Sequence, residues 1–319
     1  MHNKNFARHR SFGGRASFGG GKRRGSFSFS RKIRSQGESI DLSRFINKVV
    51  LTEEVKQWTP EHKFQDFQIE TQLKQAITAK KYILPTPIQD RAIPHILAGQ
   101  DVVGVANTGT GKTAAFLIPL INKVRLNNKE QVLIVVPTRE LALQIEQELK
   151  DFTRGMKIFS VSCVGGMSIG RQISKLHYYN SFVIGTPGRL KDLIERRKIN
   201  LAAFKTIVLD EADRMLDMGF VNDMRAIMNA MSKERHTLFF AATISREIEK
   251  LIQEFSRNPV RISVKIRDTA ANVEQDVVRI ERGHDKLDVL HKLLNQKEFS
   301  KVLVFARTKH GAEKLSKIL

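Results

Sequence analysis

The chain predicts an open α/β sheet made mostly of parallel strands, and three observations predict it. From Phe64 onward short β-branched runs alternate with helical stretches, the pattern of strand–helix–strand units. The strand runs are almost continuously apolar, as expected where helices cover both faces of a sheet. A glycine-rich loop from Ala106 to Thr113 (ANTGTGKT) falls between the first strand and the first long helix, the setting in which such a loop cradles phosphate.

The elements follow in chain order. Residues 1–40 read as a disordered basic tail. Its first 37 residues hold ten Lys or Arg, and the first acidic residue is Glu38. Ser-Phe-Gly-Gly occurs at Ser11 and again at Ser17, and five phenylalanines (Phe6, Phe12, Phe18, Phe27, Phe29) lie among the cations. Glycine, serine and charge build no core. Cations that track phosphates and rings that stack on bases suit single-stranded nucleic acid; a flexible charged tail without a fixed partner is the plainer alternative. Residues 41–62 are a connector with a short helix expected over 42–55.

Residues 63–262 form the main domain. Strands are expected at 101–106, 131–136, 159–164, 182–185, 206–209 and 237–241, with helices over 114–124, 140–152 and 221–231. Residues 263–276 read as a charged linker. Residues 277–319 open a second α/β domain with a helix at 286–294, a strand at 302–305 and a last helix. That domain is incomplete at Leu319, so the chain is expected to be a fragment.

A formal net charge of +21 points to a polyanionic partner, nucleic acid before an anionic membrane; a solubilising excess is the alternative. Cys163 is the sole cysteine, which excludes an intrachain disulfide and a cysteine-rich metal site. It is expected to be a buried thiol in a reducing compartment, the cytoplasm. No run reaches the length of a membrane-spanning helix, and the basic start lacks the apolar region of a secretory signal.

The chemistry gathers where the strands end, the place where open α/β sheets bind ligands. In the phosphate loop, Asn107, Thr108, Gly109, Thr110 and Gly111 form a turn whose backbone N–H groups can face phosphate oxygens. Lys112 would neutralise the β- and γ-phosphates and Thr113 would place a hydroxyl on magnesium. Asp210 ends the apolar run 207–209, well placed to hold Mg2+, and Glu211 beside it can orient an attacking water. Taken alone, Asp210 to Asp213 (DEAD) is equally an acidic helix start. Gln89 can read an adenine edge or simply begin a helix after Pro87. Arg139 and Arg189, with helix-start N–H groups at Gly166, Thr186 and Gly188, can clamp phosphates; an ion-pair role for Arg139 is the alternative.

Five words in this order, Pro85 to Gln89 (PTPIQ), the phosphate loop, Pro137 to Ala142 (PTRELA), Thr186 to Arg189 (TPGR) and Asp210 to Asp213, resemble the first ATP-binding half of the DEAD-box RNA helicases. The resemblance spans 64–243 and continues weakly to Leu319. It implies a RecA-like domain followed by the start of a second, ATP and Mg2+ as cofactors, and RNA as partner. It makes Asp210 the magnesium residue, Glu211 the catalytic one, and Gln89, Tyr82 and Phe64 the adenine site. Arg139, Gly166, Thr186, Gly188 and Arg189 become the RNA grip, and Asp213, Ala241 and Thr243 the coupling between nucleotide and RNA.

Three departures stand out. Ala106 replaces the first glycine of the general loop pattern, as is usual in this family. Lys81 stands where the family has glycine before the stacking aromatic. Ala241-Ala242-Thr243 replaces Ser-Ala-Thr, a lost hydroxyl expected to weaken coupling. The second domain's arginines, worth about 10³–10⁵ in rate in related hydrolases, lie outside these residues, so slow turnover is expected of the chain alone. A non-enzymatic RNA-binding or chaperone module is the alternative function; a DNA translocase is disfavoured by Gln89 and Asp213.

Overall fold

The computed structural model describes residues 58–264, 275–280, 283–296 and 299–319. The basic tail and the helix expected over 42–55 lie outside the described residues. The described residues belong to two compact units, one within 47–274 and one from 275 onward.

The larger unit is a seven-stranded sheet with all pairings parallel. Its strands are β1 (Val102–Val105), β2 (Val132–Val135), β3 (Ser160–Cys163), β4 (Phe182–Gly185), β5 (Thr206–Leu209), β6 (His236–Ala241) and β7 (Val260–Ser263), in spatial order β3-β4-β2-β5-β6-β1-β7. Helices α1 (Thr71–Ala79), α2 (Pro87–Leu97), α3 (Lys112–Leu126), α4 (Arg139–Phe152), α5 (Ile169–Leu176), α6 (Pro187–Glu195), α7 (Ala212–Asp217), α8 (Val221–Asn229) and α9 (Arg246–Phe255) connect them. Two apolar clusters fill the faces. Phe116, Ile134 and Phe240 belong to one, and Leu133, Ile207 and Phe239 to the other. Neighbouring residues of one strand point to opposite faces, so both must be apolar. That is why β2, β4 and β5 read as unbroken runs.

The six strands expected in this unit appear at their places, each within a residue or two at its ends. The sequence reading lacks β7, a polar edge strand (Val-Arg-Ile-Ser) whose Arg261 and Ser263 are exposed. Cys163 is fully buried on β3, and burial pushes its thiol up to about 12, as expected of an inert core residue.

A Schellman turn ends α1: the Tyr82 N–H donates to the Ile77 carbonyl and the Lys81 N–H to that of Thr78. This turn needs a left-handed residue, and Lys81 supplies it with φ 59°. The geometry that glycine would favour is therefore kept, at the cost of strain. Lys81→Gly is expected to stabilise the chain by about 1 kcal/mol, read as a higher urea midpoint; an unchanged or lower midpoint would contradict the strain.

The second unit holds α10 (Lys286–Leu294) and α11 (Lys309–Ile318). The strand expected at 302–305 is not formed; those residues are exposed coil, Phe305 to 88%. A strand needs a neighbour to take its backbone groups, and the described residues of this unit supply none.

Candidate nucleotide and nucleic-acid site

The phosphate loop leaves β1 and enters α3 through two left-handed glycines, Gly109 (φ 80°) and Gly111 (φ 93°). At Gly111 a side chain is disfavoured twice over, because a Cβ would also press on the side-chain amide of the buried Gln89. The loop is tied down at its base by the Ala106 N–H, which donates to the Ala241 carbonyl at 3.0 Å. Within the loop the Thr110 hydroxyl donates to the Asn107 carbonyl at 2.7 Å. Lys112 is buried and its Nζ donates to the Ala106 carbonyl at 2.8 Å. A cation and the free N–H groups of the first helical turn thus share one concavity, suited to an anion.

Asp210 ends β5 beneath this loop and is 2% exposed. Burial pushes its carboxyl up to about 6, while the nearby Lys112 ammonium and the Glu211 N–H, at 3.0 Å from Oδ1, pull the other way. Glu211 is held with φ 50° and ψ 47°, a left-handed conformation rare for a residue with a side chain. Such strain concentrates at functional positions. Its carboxylate pairs with Arg214 at 3.1 Å, one helical turn on. Thr108, Lys112, Glu211, Asp213, Arg214, Asp217 and Ala242 line a cavity of about 190 Å³. Arg214 and Asp217 escaped the sequence reading; the signal for Arg214 was its i,i+3 spacing from Glu211 on a helix.

Asp213 joins this cavity to the end of β6. Its Oδ2 accepts from the N–H groups of Ala242 and Thr243 at 3.0 and 2.8 Å and from the Thr243 hydroxyl at 3.0 Å. Ala241 itself is 1% exposed, packed within the core. The missing hydroxyl at 241 therefore leaves no vacancy at Asp213, whose oxygen is already filled by residues 242 and 243.

The adenine-site residues are brought together only in part. Gln89 is buried; its Oε1 accepts from the Thr86 N–H at 3.0 Å and its Nε2 donates to the Gly111 carbonyl at 3.1 Å. Gln89 is thus the helix-start residue of α2 and, through the same side chain, a strut under the phosphate loop. Asp90 beside it, also missed, accepts from the N–H groups of Glu61 and His62 and from His62 Nδ1, fixing the incoming chain on α2. Tyr82 is half-buried, edge-on to Phe64 and Phe152, with its hydroxyl donating to Glu148 at 3.1 Å. Burial and the Glu148 carboxylate push that hydroxyl up to about 12. Phe64 is 2% exposed and packed edge-on to Phe67 and Tyr82, where it backs the Tyr82 ring.

The expected RNA-grip residues converge on the other half of the same rim. Arg139 begins α4 after β2, Gly166 follows β3, and Thr186, Gly188 and Arg189 follow β4. Both arginines reach the loop after β3. Arg139 donates to the Gly166 carbonyl at 3.5 Å and Arg189 to that of Met167 at 3.3 Å. Arg189 also donates to Gln172 Oε1 at 3.0 Å, and Gln172 is buried with its Nε2 on the Val164 carbonyl. Gln172 is thus a positioning residue for Arg189 that sequence alone did not single out. Among the described residues, the bond of Arg139 is to the Gly166 carbonyl and not to a carboxylate.

Comparison with known proteins gives one consistent answer. Residues 86–251, just over half of the chain, match the DEAD/DEAH box helicase family. The chain is 41% identical over 233 residues to the RNA helicase CrhR of Synechocystis sp., covering 73% of this chain and 47% of that protein. It is 39% identical over 258 residues to the DEAD-box ATP-dependent RNA helicase CshA of Bacillus subtilis, covering 80% of this chain and 52% of that one. The chain therefore spans about half the length of these curated relatives. A crystal structure of a DEAD box protein from Methanococcus jannaschii superposes with a TM-score of 0.62 at 38% identity, covering 80% of this chain and 69% of that one. The phosphate loop and the acidic word at the end of β5 both lie within the matched residues, and the chain belongs to the DEAD/DEAH box helicase family.

Proposed function

We propose that this chain carries the ATP-binding and RNA-gripping surfaces of an ATP-dependent RNA helicase that remodels short duplexes without strong sequence preference. One observation carries the reading. The phosphate loop and acidic residues at the ends of β1 and β5, and the arginine clamp at the ends of β2, β3 and β4, share one rim of a single sheet. Asp213 bridges β5 to β6 within it.

The roles follow from that placement. ATP phosphates enter the loop 107–113, and Lys112 exchanges the Ala106 carbonyl for phosphate oxygens. The Thr113 hydroxyl and the buried Asp210 carboxylate are hard oxygen donors and fit Mg2+. When bound, the ion would supply neutralisation of the phosphate charge. Glu211 orients a water whose oxygen attacks the γ-phosphorus as the bond to ADP breaks. Asp213, held by Ala242 and Thr243, couples that site to the arginine clamp. Clamp contacts to phosphates carry no base information, so sequence-independent binding follows. A lone buried Cys163 accords with the cytoplasm as the place of action. Among the described residues no helix is long and apolar enough to cross a membrane.

RNA-stimulated ATP hydrolysis tests the reading. Slow turnover that RNA accelerates is expected; binding of RNA with no turnover in either condition would favour a non-enzymatic RNA-binding or chaperone module. Within the clamp, Arg189→Ala is expected to weaken single-stranded RNA binding about tenfold and to lower the slope of log K against log salt by about one. An unchanged slope would remove Arg189 from the phosphate path.

A further inference from the structure

At the opposite ends of β3 and β4 from the arginine clamp lies a second concavity of about 570 Å³, within the range of about 300–1,000 Å³ typical of ligand sites. Phe159 immediately precedes β3, and Tyr178 and Tyr179 precede β4. All three rings line the concavity and are exposed, to 58%, 77% and 47%. Three aromatics left in water at one place are not explained by the core. Their positions are built. The Phe159 carbonyl accepts from the Phe182 N–H at 3.1 Å, and the Tyr179 hydroxyl donates to the Asn128 carbonyl at 2.7 Å and approaches that of Glu130 at 3.1 Å. Among the described residues Tyr178 has no such tether.

The charge at this wall is basic. Lys150 and Lys175 line it, and Lys157 is exposed two residues before Phe159. The one carboxylate among the lining residues, Glu146, is buried and spent internally, on the Ser162 hydroxyl at 2.6 Å and on Lys150 at 2.8 Å. Lys150 uses one of three ammonium donors on it. None of the nucleotide or clamp residues belongs to this wall.

We propose that this concavity is a second nucleic-acid site, in which bases of single-stranded RNA stack on Phe159 and Tyr178 while Lys150 and Lys175 hold the flanking phosphates. Exposed rings interleaved with cations are the chemistry of sequence-tolerant single-strand binding. The site would take the part of an RNA strand that runs beyond the clamp and around the edge strand β3. In that respect it rests on the RNA-binding reading of the clamp.

The test uses the full chain and two oligouridylates, of about six and about twenty nucleotides. Phe159→Ala/Tyr178→Ala is expected to weaken the longer oligomer about tenfold and leave the shorter one unchanged. Tyr178→Trp is expected to lose fluorescence when the longer oligomer stacks on it; Trp58, the sole natural tryptophan, is corrected for with the parent chain. If the double variant binds both oligomers like the parent and Tyr178→Trp stays silent, while Arg189→Ala still weakens both, the second site is overturned and the surface is left to a protein partner. If Arg189→Ala has no effect but the double variant does, the second site stands and the clamp reading fails. Should the double variant not fold, the Tyr178→Trp signal decides alone.

Discussion

Lys112→Ala is expected to weaken ATP binding by about two orders of magnitude, since charge-assisted hydrogen bonds contribute about 1.5–3 kcal/mol each. Lys112 is the cation buried between the phosphate loop and Asp210, with its ammonium 2.8 Å from the Ala106 carbonyl. Its stem is fixed by the first turn of α3, so no exposed lysine can substitute for it. The clamp residues hang from other strands and other helices, so RNA affinity without nucleotide should hardly change. Titration with a fluorescent ATP analogue, alongside RNA binding by the same preparation, separates the two. Near-parental ATP affinity in this variant would place the phosphates elsewhere.

The second large effect is expected at Glu211. Glu211→Gln should leave ATP affinity within a small factor of the parent while lowering turnover by about 10²–10⁴, the range of general-base contributions. The substitution keeps shape and removes only the carboxylate charge, the group that pairs with Arg214 in the cavity wall. The backbone makes the case sharper. At φ 50° the residue holds a conformation that glycine adopts freely. Glu211→Gly should therefore also lose turnover, with no loss of stability in a urea melt. Normal hydrolysis in Glu211→Gln would refute the role; a marked loss of stability in Glu211→Gly would refute the strain.

Much of this was legible in the sequence because it is local. A strand buried on both faces is apolar without a break, so β1, β2, β4, β5 and β6 could be read directly. The phosphate loop is defined by eight consecutive residues whose chemistry needs only a strand before it and a helix after it. Asp210 could be placed because it follows three apolar residues in a sheet whose strand ends carry the ligands. Ala106, Lys81 and Ala241 were legible as departures from the family pattern, but their consequences were not. Whether Lys81 could hold the left-handed turn depended on two carbonyls of α1. Whether Ala241 mattered depended on which atoms fill Asp213, about thirty residues away in sequence.

The fold class, the order of the motifs along the chain and the phosphate-loop pattern of residues 106–113 are written in the sequence alone. Tertiary structure alone decided that β7 closes the far edge and that Phe64 is core. It also turned Gln172 beneath Arg189 and set three aromatic rings around one concavity. The physical reason is separation along the chain. Apolar periodicity and turn chemistry act within a few residues, where a sequence displays them. Burial, hydrogen-bond partnership and the company of a surface ring are set by segments tens of residues apart, and exist only once the sheet has brought them together.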